Sequence, residues 1–177
     1  MSAYAACVAA SACTPIELQS PSACTEDLPA LQSHPVNCAD WDQASAYCAW
    51  VGTRLPTEWE WEWAARGRDE ARVHPWGAAA PGTLACWFGT AQGVGTCLVG
   101  AYSPAGDSRD DVQDLAGNVW EWTDSVYELS TGYRIIRGGS WNTGNASTTD
   151  ELHADYRAPL LPGSSRDILG FRCALTP

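Results

Sequence analysis

Eight cysteines spread along 177 residues constrain this chain more than any other feature. The closest two, Cys7 and Cys13, are six positions apart, so no C-x-x-C exists. Zinc sites usually present close pairs, and an even, scattered set reads better as disulfides. Disulfides point to an oxidising compartment, with the chain secreted, at a cell surface or periplasmic. No export signal is visible, because Met1 leads straight into a small-residue segment with no basic n-region. Two explanations stand: the signal lies upstream of Met1, or the chain is cytosolic with free thiols.

The core must be built largely from indoles. Hydrophobic residues make up 45% of the chain, with ten Trp against two Phe and one Met. Each buried indole N–H needs an acceptor, which favours an irregular fold rich in buried carbonyls. The length suits one domain. A formal net charge of −11 argues against a nucleic-acid partner, which would need a basic face. All ten basic residues are Arg, which rules out Schiff-base chemistry on a side-chain amine. No apolar run approaches the roughly 20 residues of a membrane span.

Residues 3–12 predict a short helix with an abrupt, truncated-looking start. A surface loop over 15–35 follows, held by Cys13, Cys24 and Cys38. Residues 1–33 are therefore read as an N-terminal helix and disulfide-tied loop, and 34–177 as the body of the domain. Asp40 can cap a helix carrying Trp41, Ala44, Cys48 and Val51 at helical spacing, with Gly52 at its end. In TEWEWEWAARG the alternation of Trp and Glu suggests a strand, but Thr57 and Glu60 form a capping box. The helix wins, with Trp59 and Trp63 on one face and Trp61 on another. Residues 74–106 read as turns and short strands tied by a Cys86–Cys97 bridge. RIIR at 134–137 reads as a strand, 142–150 as the most variable-looking loop, and GFRCA as a final strand carrying Cys173.

The loop DLAGNVWEW at 114–122 combines the carboxylates of Asp114 and Glu121 with backbone carbonyls at Gly117 and Val119. Such an all-oxygen set suits Ca²⁺. The alternative is a tight turn at Gly117 and Asn118 between core tryptophans.

HPVNCADWDQASAYCAWVGTRLPTEWEWEWAARG, HPWG, DLAGNVWEW, RGGSW, YRAP and GFRCA occur in one order over residues 34–174. That series resembles the formylglycine-generating enzyme family, also called the sulfatase-modifying factor domain. The resemblance implies an α+β, C-type-lectin-like fold of the formylglycine-generating enzyme type with little regular secondary structure, and a Cys48–Cys173 disulfide. It also implies structural calcium held by Asp114, Gly117, Val119 and Glu121. A second calcium site of the family is in doubt, because Trp87 stands where an Asn is needed.

The family's oxidases hold copper between two Cys shortly after GGS, and soft thiolates suit Cu(I). Here no Cys lies between Cys97 and Cys173, so no copper is expected, and Ser140 reads as structural. Related sulfoxide synthases bind iron through three His. This chain has only His34, His74 and His153, two of them before Pro, so no iron is expected either. A hydrolase triad of Ser140, His153 and Asp155 lacks a nucleophile elbow. The family's first strand is missing, which would leave a sheet edge for an upstream domain or partner chain to cover.

The expected function is a non-catalytic scaffold whose loops over 142–169 bind a protein or small-molecule ligand, because a backbone fixed elsewhere tolerates loop variation. The residues expected at that surface are Ser140, Trp141, Asn142, Asn145, His153, Tyr156 and Arg157. One special case is the variable protein of a diversity-generating retroelement. The alternatives are a divergent oxidase acting on a sulfatase cysteine or a small thiol, and an accessory domain of a larger protein.

Overall fold

Two capping boxes set the helices on either side of the sheet. The structure, a computed structural model, describes residues 3–16, 24–25, 29–91, 95–145 and 148–176. Helix α1 spans Ala3–Ala9, α2 Trp41–Trp50, α3 Glu58–Ala65 and α4 Phe88–Ala91. At α2 the Asp40 side chain accepts from the Gln43 amide, and the Gln43 side chain accepts from Asp40. Thr57 and Glu60 make the same reciprocal pair at α3. These local bonds satisfy orphan amides and override the period-two pattern of WEWEW. Trp61 is 2% exposed, whereas Trp59 and Trp63 are 71% and 57% exposed.

Four strands, β1 Trp120–Glu128, β2 Tyr133–Arg137, β3 Arg157–Leu160 and β4 Leu169–Phe171, form one sheet in the order β3-β2-β1-β4. The β1–β2 and β2–β3 pairs are antiparallel and β1–β4 is parallel. Strand alternation then sorts the side chains. Trp120, Trp122 and Ile136 join Ala44, Cys48, Leu55 and Leu169 in the cluster beneath α2. Glu121 and Arg137, paired across β1 and β2, face the side of α3 and Trp61.

The N-terminal segment belongs to the same body. Tyr4, Cys7, Cys13 and Ile16 cluster with Cys38 and Ala39, and the Tyr4 ring stacks on Tyr47 at 5.7 Å. The outer edge of β4 is met by a bridge from Asn37 to Gly170, and Asn37 donates to the Asp167 carbonyl at 2.6 Å.

Several expectations change. Helix α1 stops at Ala9 rather than 12, because Ser11 takes φ 59° and the Cys7–Cys13 disulfide closes the turn. Cys13 therefore does not hold the following loop; Cys24–Cys38 does, while 17–23 and 26–28 lie outside the described residues. No strand forms among the described residues of 74–106, where Gly77, Gly82, Gly95 and Gly100 take positive φ and only isolated bridges and α4 appear. The 114–122 stretch is a loop only as far as Val119, since β1, the longest strand, begins at Trp120. Cys173 lies just past β4.

The remaining disulfides, Cys48–Cys173 and Cys86–Cys97, are those expected, and none of the eight cysteines is free. Indole N–H groups find backbone carbonyls as anticipated: Trp122 on Ala39, Trp41 on Thr123, Trp87 on Gly82.

Candidate functional site

Strand β2 ends in a turn that only glycine can make. Gly138 and Gly139 take φ 94° and 70°, and a Cβ on Gly139 would come within 2.9 Å of Leu152 and 3.0 Å of the Glu151 carbonyl. That turn delivers Ser140, Asn142 and Thr143 to the wall of a cavity of about 400 Å³. Trp120, Ile136 and Leu169 supply apolar wall from the α2 face of the sheet, and β3 adds Ala158 and Leu160.

Two charged side chains complete the lining, Glu151 and Arg166. Glu151 is set by the 3₁₀ turn Thr149–Leu152, whose cap Thr148 accepts from the Asp150 amide. The hydroxyl of buried Thr143 donates to Glu151 Oε2 at 2.7 Å and accepts from the Ser140 amide at 3.0 Å. The Ser140 hydroxyl in turn accepts from the Asn142 amide.

A separate charge cluster lies on the other face. Arg137, fully buried, pairs with Glu62, approaches Glu58 at 3.9 Å, and donates to the Tyr156 carbonyl. Its guanidinium lies 5.3 Å from the Trp61 ring. Burial pushes the Arg137 pKa down, while Glu62 and Glu58 oppose that shift. Arg157 completes the cluster through Glu58 at 3.1 Å.

A second cavity, of about 510 Å³, is lined by Asp114, Asn118, Val119, Glu121 and Arg172 among others. Burial, more than any neighbour, raises the Asp114 carboxyl pKa. The Asp114 Oδ2 accepts from the Gly100 amide at 2.7 Å. Both Glu121 oxygens are engaged, by Arg172 Nε and Nη2 at 2.5 and 2.6 Å, and Oε2 also by Trp61 Nε1 at 2.6 Å. Three of the four expected calcium ligands thus share one cavity of hard oxygen donors. Gly117 is not among its lining residues, and its amide donates to the Gly138 carbonyl. The donor chemistry fits a hard cation, on condition that Arg172 yields part of Glu121. No group of three or more His, Cys, Asp or Glu able to hold a metal occurs among the described residues.

The residues expected at the ligand surface divide. Ser140 and Asn142 line the first cavity, and Asn145 donates to Asn142 Oδ1. Trp141 is held by its amide to the Asn118 carbonyl and its indole to Asp167. Tyr156 sits against Trp120 at 6.0 Å, and Arg157 is committed to Glu58. His153 packs edge-on against His74 at 5.0 Å, and His74 stacks on Trp76. His34 instead bonds Thr96, so the three histidines do not converge. Thr143, Glu151, Arg166 and Trp120 were missed. Thr143 lay inside the 142–150 loop read for its variability, Glu151 one position past it, and both, like Arg166, fell within the 142–169 span read as binding loops without being named.

A family model for the Sulfatase-modifying factor enzyme 1-like domain matches residues 1–177. The Inactive C-alpha-formylglycine-generating enzyme 2 of Bos taurus is 42% identical over 151 residues, which cover 79% of this chain and 50% of that protein. The Formylglycine-generating enzyme of Streptomyces coelicolor is 34% identical over 181 residues, covering 87% and 56%. The chain thus spans about half the length of these curated relatives. Among solved structures, Treponema denticola variable protein 1 superposes with a TM-score of 0.68 at 22% identity, over 89% of this chain and 77% of that one. The fold is α+β and C-type-lectin-like.

Proposed function

This chain belongs to the sulfatase-modifying factor family, and on that premise we propose that it is a non-catalytic binding scaffold of an oxidising compartment. The carrying observation is that all eight cysteines are in disulfides, which leaves no thiolate for a soft redox metal. The cavity under the GGS turn is the binding site. Its walls combine apolar surface with a few convergent polar groups, as small-ligand sites do. The partner is a protein or small molecule taken up through the loops over 142–169.

Calcium braces the opposite cavity. Asp114 and Glu121 would offer carboxylate oxygens and Val119 its carbonyl, with Gly117 outside the lining, and the ion would supply fixed positive charge beside two acids. Arg172 supplies the charge when the ion is absent.

Thiol titration of the denatured protein together with elemental analysis tests the reading. The expected result is no free thiol, about one equivalent of calcium, and neither copper nor iron. Stoichiometric copper or iron would overturn the scaffold and restore an oxidase.

A further inference from the structure

We propose that the cavity under the GGS turn takes a small zwitterion with an apolar side group, its anion on Arg166 and its cation on Glu151. The inference rests on the scaffold reading and names the ligand class of the same site.

The observation behind it is a mismatch in pairing. Nine of the ten arginines form an ion pair with a carboxylate. Arg166 forms none with any described residue, although the chain carries a large excess of acid. Glu151, likewise, has a hydroxyl from Thr143 and no cation among the described residues. The two unpaired charges line one cavity and are not paired with each other.

Opposite unpaired charges on one wall set sum to zero. A ligand with a single charge would satisfy one of them and leave the other facing it uncompensated, whereas a zwitterion pairs both through charge-assisted hydrogen bonds. Size and polarity agree. About 400 Å³ lies at the small end of ligand sites. Trp120, Ile136, Ile168 and Leu169 form an apolar wall for a hydrocarbon or aromatic group. Ser140 and Asn142 add donors and acceptors near the charged ends. A free apolar α-amino acid and a short apolar peptide share this chemistry and differ in the separation of their charges.

Isothermal titration of the whole chain tests the assignment with L-leucine, leucyl-leucine, isovalerate and isopentylamine. One zwitterion is expected to bind at least tenfold tighter than either singly charged analogue, and the preferred one tells amino acid from peptide. Arg166→Gln and Glu151→Gln should each weaken that ligand at least tenfold. Gln can still accept the Thr143 hydroxyl, so Glu151→Gln keeps the local bond, and an unchanged melting curve checks that both variants fold. Binding of isovalerate as tight as that of leucine, variants with unaltered affinity, or no binding by either zwitterion would overturn the proposal. That outcome leaves the scaffold reading standing, since the scaffold is decided separately by the metal content.

Discussion

Arg137, at the end of β2, and Arg166, in the loop between β3 and β4, carry the same guanidinium and do opposite work. Arg137 is fully buried, flanked by Glu58 and Glu62 and laid near Trp61. Arg166 is exposed and lines a cavity without an ion partner among the described residues. A buried charge without partners is so costly that folding must satisfy it internally. An exposed one remains hydrated and can wait for a ligand. Pairing, more than residue type, separates the charges that hold this fold together from those that face outward.

The largest loss of stability is expected from Arg137→Met. It takes the buried partner from Glu62, which keeps only Arg66, and leaves Glu58 to Arg157, and it should cost about 3 kcal/mol in urea unfolding. Adding Glu62→Gln should recover part of the loss; no recovery would mean that the cluster is not a coupled unit. Next comes Cys48→Ala, which opens a loop of 125 residues between α2 and the end of β4 and should cost about 3 kcal/mol. A variant melting with the parent under non-reducing conditions would refute that contribution.

Glu121→Ala tests the intermediate case, a charge paired with Arg172 that a cation can claim. The parent should gain roughly 2–3 kcal/mol at a hundredfold excess of calcium over its dissociation constant, and the variant should gain nothing. An undiminished calcium response would remove Glu121 from the ligand set.

A smaller effect is expected from His74, which is buried with neither ring nitrogen hydrogen-bonded. Burial, then the neighbouring His153, lowers its pKa below 6.5. Below the unfolded value the unfolded chain binds the proton more readily, so stability should fall as pH drops under about 6.5. His74→Phe should flatten that part of the profile. Glu60 acts in a lower window: the Arg54 hydrogen bond holds its carboxyl at about 2 against 4.5, and its contribution is lost between those values as pH falls. The smallest stability change belongs to Arg166→Gln, within about 0.5 kcal/mol of the parent. A loss of several kcal/mol there would make Arg166 a structural residue and erase the contrast.

Much of the frame was legible along the chain. The Asp40 cap, the Thr57–Glu60 capping box and the RIIR strand depend on residues within a few positions of each other, and local bonds decide them. The Cys86–Cys97 bridge spans a short loop and could be inferred from its bracketing pair. The Cys48–Cys173 bridge was available only through family resemblance, because nothing between the two cysteines links them.

What the sequence alone determined is therefore local: helix starts, glycine turns, an indole-rich core, and the absence of a thiol pair after GGS. Tertiary structure decided the rest. It buried Trp61 rather than Trp59, gave Glu121 to Arg172 across 51 positions, and left Arg166 and Glu151 on one cavity without joining them. The physical reason is that a cap or turn is settled by the chain's own neighbours. A charge becomes structural or available according to which distant partner the closed fold brings beside it.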